Sequence, residues 1–300
     1  MPIPKSFIGI VLTLMTVIFA VGTSLIIKNI GDQIPLATLL MYRFMLASPW
    51  LILFALIVRG RKAFHINAKR TMMVRICFGC AAMALWFLSV RLLPLGQATA
   101  LLQSSVIFVT ICSPFLLGER IGVYRWSAVI TGMFGVMLLT DPFDGGFSIY
   151  VIFGVLGAMA SAGLAILLRR LGRTDHPFSL AVWYNGSGSV LLFMFVFLHP
   201  GISMTVSQPV LFDLVLLGMV ATGLQLSITS AFKFAEAVVV TTVRYLQIPL
   251  AALIGFLVFA EVMSPIEIVG GCVVLTSCLV IAWREFVRSK AAAAQGQETG

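Results

Sequence analysis

Apolar residues run along this chain in blocks that are separated by short polar loops. A helix needs about 20 apolar residues to cross the hydrocarbon core of a bilayer, and ten blocks reach that length. They cover residues 6–27, 34–58, 71–92, 95–117, 121–140, 147–168, 178–198, 210–231, 236–258 and 265–283. Backbone polar groups in hydrocarbon must be hydrogen-bonded internally, so each block predicts a helix. The pattern therefore predicts an all-α polytopic membrane protein with ten transmembrane helices.

The fourth block carries a thin row of polar residues. At 100° per residue its four polar side chains fall within roughly 80° of one another, so they share one face of a helix. They are Thr99, Gln103, Thr110 and Ser113. Gln103 is the most polar side chain of the middle of this span. The row of polar residues that includes Gln103 predicts the lining of a solute pathway. Alternatively, a neighbouring helix could supply hydrogen bonds to the side chain of a single buried glutamine.

The two halves of the chain resemble each other at an offset of 142 residues. The matches include Arg91 with Lys233, Thr99 with Thr241, Glu119 with Glu261, Pro35 with Pro177, Tyr42 with Tyr184, and Lys28 with Arg170. Five helices per copy is an odd number, so the second copy enters the membrane from the opposite face. We therefore expect two inverted repeats, 1–143 and 144–290, around a central cavity. A small, polar tail at 291–300 is expected to be disordered and cytoplasmic.

Two arginines fall inside predicted spans. An arginine at the centre of a membrane helix costs about 2.5–3.5 kcal/mol on insertion scales, so each should face protein or water. Arg43 could anchor an anionic group of a substrate or pair with buried carbonyls or a carboxylate. Arg244 could do the same, or could reach back to the inner surface of the membrane. Two cations without a clearly mid-span carboxylate suit a substrate that carries an acidic group.

Other residues complete the predicted binding site. Thr241 and Arg244 share one face of the ninth block, with Tyr245 beside them, and Gln225 belongs to a polar face of the eighth. Trp86 lies well inside the third block, where it could stack on a flat ligand or simply fill the core. The predicted cavity residues are Trp86, Thr99, Gln103, Thr110, Gln225, Thr241, Arg244 and Tyr245. Pro249 removes a backbone hydrogen bond in mid-span and predicts a kink there.

Composition and charge narrow the class of protein. The chain is 60% hydrophobic and 10% charged, with a mean hydropathy of +1.07, which excludes an ordinary soluble domain. Of its 20 lysines and arginines, only Lys28 and Arg91 are assigned to the side away from the termini, while Arg43 and Arg244 lie deep within spans. This asymmetry predicts cytoplasmic termini and explains the net charge of +9 without a nucleic-acid partner.

Motifs for catalysis or metal binding are weak. The three histidines are scattered, and the five cysteines all fall within predicted spans, so we expect no metal and no cofactor. A membrane enzyme would need a nucleophile, an acid–base pair or a metal set, and a channel would more naturally show a filter sequence. Both alternatives are therefore disfavoured.

Ten spans, basic inner loops and the Gly-Glu-Arg sequence at 118–120 resemble the drug/metabolite transporter superfamily, and especially the bacterial EamA-like exporters. The resemblance implies a basket of helices with a central cavity lined by helices one, three, four, six, eight and nine. Helices five and ten would lie at the periphery or in a homodimer contact, and the glycines of those two blocks predict close packing. It further implies a carrier in the inner membrane, surrounded by lipid, that moves a small-molecule substrate. We expect export of amino acids, including aromatic or other apolar ones, or of related metabolites. Import or exchange of a nucleoside-like or vitamin metabolite is the alternative.

Overall fold

A computed structural model describes residues 5–117, 122–139, 148–172, 174–235 and 237–298 of the chain. These residues form twelve α-helices and one 3₁₀ turn, Gly60–Phe64. The helices are α1 Lys5–Ile30, α2 Leu36–Arg59, α3 Lys69–Leu92, α4 Leu95–Gln103, α5 Ser105–Leu117, α6 Val123–Leu139, α7 Val151–Leu171, α8 Pro177–Leu198, α9 Gln208–Phe234, α10 Ala237–Arg244, α11 Gln247–Phe259 and α12 Pro265–Glu298. The Gly-Glu-Arg sequence at 118–120, the acidic loop around Asp141 and Asp144, and Glu236 lie outside the described residues.

The described residues contain nine helical segments long and apolar enough to cross a membrane, and a shorter apolar helix, Trp126–Leu139, stands at the place of the fifth predicted span. The prediction of an all-α polytopic membrane protein is confirmed. Large apolar side chains such as Ile57, Val190, Phe212 and Leu257 lie on the outside of the bundle, where a membrane protein faces lipid tails.

The helix boundaries repeat along the chain. Helices α4, α5 and α6 begin at residues 95, 105 and 123, and α10, α11 and α12 begin at 237, 247 and 265, each 142 residues later. Helices α3 and α9 end at residues 92 and 234, which differ by the same number. The packing partners repeat as well, because α1 packs on α9 as α7 packs on α3.

Glycines allow α6 and α12 to approach closely, as their sequence predicts. A Cβ at Gly135 would meet Val273 and Val274 at 2.8–3.0 Å, and one at Gly270 would meet the backbone of Leu139 at 2.7 Å. Since real Cβ atoms essentially never come so close, only glycine permits this spacing. In the same helix pair Ser277 donates a hydrogen bond to the carbonyl of Ala128.

The end of the chain differs from expectation. Helix α12 continues to Glu298, so the backbone of residues 291–298 is helical where composition predicts disorder. Four consecutive alanines explain the difference, because alanine has the highest intrinsic helix propensity.

One buried carboxylate joins two loops at the end of the bundle that carries most of the basic residues. Asp175 accepts hydrogen bonds from the backbone N–H groups of Asn67 at 2.6 Å and Ala68 at 3.2 Å, at the start of α3, and from the hydroxyl of Thr174 at 2.8 Å. Burial by itself raises the pKa of the Asp175 carboxyl, but these hydrogen bonds outweigh it and hold the pKa below its ordinary value of 3.8. The ionised carboxylate therefore stabilises this contact at neutral pH.

Candidate functional site

The fourth and ninth spans are each broken in the middle of the membrane. The apolar pattern predicts continuous helices over residues 95–117 and 236–258, and this prediction is wrong. Helix α4 stops at Gln103 and α5 starts at Ser105, while α10 stops at Arg244 and α11 starts at Gln247. Broken helices inside a bilayer are tolerated only where protein or a cavity satisfies the freed backbone groups.

Different residues cause the two breaks. Pro249 has no N–H to give to the carbonyl of Tyr245 four residues earlier, and the N–H of Ile248 donates to that carbonyl instead, at 3.1 Å. In the first half no proline stands near the break. There the hydroxyl of Ser104 donates to the carbonyl of Leu101 at 2.6 Å, and the chain makes one tight turn before α5 begins.

Gln103 connects the two breaks. Its side-chain amide donates to the backbone carbonyl of Arg244, the last residue of α10, at 3.2 Å. Its own backbone carbonyl, at the end of α4, accepts a hydrogen bond from the thiol of Cys278 at 3.7 Å. The predicted glutamine thus lies at the meeting point of α4, α10 and α12 and is buried there. Cys278, expected to act as a small apolar residue, also serves as a hydrogen-bond donor.

Three predicted site residues hold buried polar atoms that have no hydrogen-bond partner of normal geometry. They are the indole N–H of Trp86, the hydroxyl of Thr99 and the hydroxyl of Tyr245. Tyr245 is 3% exposed, and its hydroxyl lies beside the thiol of Cys278, a weak hydrogen-bond partner. Leaving such a group unsatisfied costs about 1–3 kcal/mol, so each of these three side chains is a candidate for a hydrogen bond to a bound solute.

The remaining predicted cavity residues are satisfied or only partly buried. The hydroxyl of Thr110 donates to the carbonyl of Val106 at 2.9 Å, so it bonds back to its own helix and does not need a ligand. Gln225 and Thr241 are half-buried on α9 and α10. Arg244 is half-buried too, and the titratable group that faces its guanidinium among the described residues is Tyr245.

Arg43 belongs to a separate cluster. Its Nη1 donates to Oδ1 of Asn185 at 3.1 Å, which joins α2 to α8. The two residues are 142 positions apart, so they are the same position in the two halves. Arg43 is buried, as expected, but its partner is a neutral amide and not a carboxylate.

An ion pair closes one end of the bundle beside the fourth and ninth spans. Lys28 of α1 forms a salt bridge with Glu261, and their side chains are only 14% and 16% exposed. Lys28 also donates to the carbonyl of Leu93 at 2.6 Å, and Glu261 accepts from the first N–H of α4, that of Leu95, at 2.7 Å. The pair therefore ties together α1, the start of α4 and the end of α11.

Two surface cavities formed by described residues lie elsewhere. One of about 370 Å³ is apolar and is lined by Trp50, Phe54 and Met219, among others. The other, of about 480 Å³, is lined by basic loop residues such as Arg59 and Lys62. Neither is lined by a residue of the predicted set, whose central members are closed off in this conformation.

The model of the EamA-like transporter family matches this chain twice, over residues 7–141 and 148–283. These matches cover nearly all of the sequence. The chain belongs to the EamA-like transporter family. It is a multi-pass membrane transporter of the drug/metabolite type and not an enzyme, as its sequence indicates.

Named relatives of this EamA-like transporter carry different solutes. It is 23% identical to a pseudopaline exporter of Pseudomonas aeruginosa over 86% of this chain and 89% of that protein. It is 27% identical to a riboflavin transporter of Vibrio cholerae over 73% of each chain. It is 22% identical to an S-adenosylmethionine uptake transporter of Rickettsia bellii over 93% of this chain and 94% of that protein.

One solved crystal structure shares the fold. It superposes with a TM-score of 0.61 at 16% sequence identity and covers 92% of this chain and 96% of its own.

Two important residues of the transporter are missed by sequence reasoning. The charge pattern of the sequence places Arg75 among the basic residues of the inner surface, yet its side chain, on α3, is only 5% exposed. Gln97 donates to the carbonyl of Leu139 at 2.6 Å and to the carboxylate of Glu267 at 2.7 Å, so it ties α4 to α6 and α12. A signal for the second contact exists in the sequence. Ser264 and Glu267 form a capping box at the start of α12, which fixes the position of that carboxylate.

Proposed function

We propose that this protein is a secondary transporter that moves small organic solutes across the inner membrane by alternating access, and that it exports amino acids or related metabolites. The observation that carries the proposal is that three predicted site residues, Trp86, Thr99 and Tyr245, bury polar atoms without a normal hydrogen-bond partner, and that Thr99 and Tyr245 lie within one turn of the two helix breaks. Transporters commonly form substrate sites where membrane helices are broken near the midplane. A bound solute would supply the partners that these atoms lack.

The chemistry of the site favours a solute with an acidic group and a flat or apolar part. The guanidinium of Arg244 can bind a carboxylate, and no carboxylate of the described residues is among the groups that face it. Trp86 and Tyr245 offer two aromatic side chains, each with a buried hydrogen-bonding group that lacks a partner of normal geometry. Amino acids and carboxylate-bearing metabolites match both features, and one relative is named as an exporter of pseudopaline.

Two inverted halves, 1–143 and 144–290, would provide the movement. The recurrence of helix starts at an offset of 142 residues supports this division, as do the two separate family matches. The hydrogen bond between Arg43 and Asn185 supports a two-fold axis in the membrane plane, because equivalent residues touch each other only near such an axis. Rocking of one half against the other would expose the central site to each side in turn.

The pair of Lys28 and Glu261 would act as the latch of the outer end. With the termini in the cytoplasm, the loop between α3 and α4 and the end of α11 face outward, and the pair joins them to α1. The equivalent positions in the other half are Arg170 and Glu119, at the inner end.

Import or exchange of a nucleoside-like or vitamin metabolite is the second candidate. It is favoured by the relatives that are named as riboflavin and S-adenosylmethionine transporters. Such solutes are flat and could also use Trp86 and Tyr245, but they do not require a carboxylate site at Arg244.

Binding to the purified protein tests the proposal. Thermal unfolding in detergent would be measured with a panel of amino acids, carboxylate metabolites, flavins and nucleosides at millimolar concentration. We expect an amino acid or a related carboxylate to raise the melting temperature by several degrees. Tyr245→Phe removes only the buried hydroxyl and should abolish the shift, whereas Gln33→Ala, at an exposed loop residue, should leave it unchanged. A shift produced only by flavins or nucleosides would select the second candidate, and equal shifts in Tyr245→Phe would remove the central site from the account.

A further inference from the structure

A second polar centre lies between α2, α3 and α8, apart from the broken helices. It contains two arginines, Arg43 and Arg75, which are 4% and 5% exposed. Phe44 and Tyr184 lie beside them, with their rings in edge contact at 5.2 Å between centroids. Arg75 is surrounded by an apolar cluster that includes Met72 and Ile76 of its own helix.

The two guanidinium groups are unequally satisfied. Arg43 donates to Asn185 and lies 4.5 Å from the centroid of the Phe44 ring. Arg75 lies 4.1 Å from the centroid of the Tyr184 ring, but its Nε and one Nη are buried without any hydrogen-bond partner. Contact with an aromatic face compensates a cation only in part, and the N–H groups still need acceptors.

Among the described residues no carboxylate faces Arg75. The charged or titratable groups that face Arg75 are Arg43, Tyr184 and Cys80 in the described part of the chain. Two cations in a closed apolar site repel each other and each loses its hydration. The hydroxyl of Tyr184 cannot serve as a counter-charge, because it donates to the carbonyl of Gly79 at 3.0 Å.

We propose that Arg75 and Arg43 bind one small inorganic anion of the size of chloride. A monovalent anion would accept the free N–H groups of Arg75 and offset one of the two positive charges. A small anion is proposed because the groups that would hold it are buried: Arg43, Arg75 and Tyr184 are all at most 5% exposed. The site belongs to the structure of the α2, α3 and α8 bundle and does not depend on which solute the transporter carries.

Thermal unfolding of the full-length protein tests this site. The melting temperature would be measured in sodium chloride, bromide, gluconate and acetate at constant ionic strength. Because an ion that binds only the folded state stabilises it by mass action, chloride and bromide should raise the melting temperature by about 2–4 °C over gluconate, with saturation. No difference between chloride and gluconate, or stabilisation by acetate but not by chloride, would overturn the assignment.

Variants locate the effect. Arg75→Met replaces the buried cation by an apolar side chain of similar length, a change that folded proteins often tolerate, and should abolish the response to chloride. Arg70→Gln, at the start of the same helix, is the matched control because its side chain is exposed. It should keep the full response. A chloride response that persists in Arg75→Met would place the anion elsewhere. If Arg75→Met does not fold, anomalous scattering from bromide in crystals of the unmodified protein decides: a peak at Arg75 supports the proposal and its absence overturns it.

Discussion

Replacing Glu261 by glutamine should open the end of the transporter that we propose to face outward. The glutamine keeps an oxygen that can accept from the N–H of Leu95, so the change removes only the charge that pairs with Lys28. Breaking a fully buried pair costs about 3–5 kcal/mol, and an exposed pair contributes about 0.2–1 kcal/mol. With both side chains about one-seventh exposed, we expect a loss of about 2 kcal/mol for the closed state.

This loss sets the size of the observable effect. If the pair is absent from the outward-open state, about 2 kcal/mol raises the open population by up to about 30-fold. A cysteine at Thr99 can report on opening, because this residue is fully buried one turn below the N–H that Glu261 holds. In a background without the five native cysteines, Thr99→Cys would be labelled with a membrane-impermeant thiol reagent added from the outside.

We expect Glu261→Gln to increase the labelling rate by about 10- to 30-fold. Asp213→Asn is the control, since Asp213 accepts a hydrogen bond from Asn29 at 3.0 Å at the same end of the molecule but in an exposed position. It should not change the rate. An unchanged rate in Glu261→Gln, or an equal rise in Asp213→Asn, would refute the idea that the ion pair holds the outer end closed.

Three further changes test other parts of the account. Gln103→Ala leaves the carbonyl at the end of α10 unsatisfied and should lower the stability by about 1–3 kcal/mol in thermal unfolding, while Gln33→Ala should not; equal effects would contradict the bridging role. Pro249→Ala supplies an N–H for the carbonyl of Tyr245, and should slow solute flux several-fold without lowering the melting temperature; unchanged flux would show that the break is not a hinge. Asp175→Asn should cost about 1 kcal/mol at pH 7. The pKa of Asp175 is lower in the folded state, so its contribution to the stability is present above the ordinary pKa of 3.8 and is lost as the pH falls through the folded pKa. The melting temperatures of variant and parent should therefore converge at that low pH. A difference that stays constant down to that pH would contradict the assignment.

Some features of the transporter can be read directly from the sequence. Span positions follow from the length of the apolar blocks, because the bilayer imposes that length on every helix. The close contact of α6 and α12 follows from glycines such as Gly135 and Gly270, which lack a side chain and so let two helices approach closely. The importance of Gln103 follows from its polarity in an apolar span.

Other features depend on three-dimensional context. Pro249 predicts a kink from the sequence, but no proline lies at the break at Ser104. That break is seen only in the structure, where the side chain of Gln103 donates a hydrogen bond to the end of α10. Arg75 resembles an interfacial residue in sequence because it follows the basic start of α3, and its burial depends on how α2 and α8 cover that helix. Thr110 shares a stripe with Gln103, yet a helical threonine can satisfy itself, so the stripe alone does not distinguish lining from packing.

Counterflow in proteoliposomes tests the central claim most directly. Vesicles loaded with an unlabelled amino acid or carboxylate metabolite that raises the melting temperature would be diluted into a trace of the labelled solute. A carrier with one site open alternately to the two sides predicts saturable uptake that is stimulated by the internal solute and lost in Tyr245→Phe. Uptake that does not saturate and ignores the internal solute, or uptake that persists in Tyr245→Phe, would contradict the account.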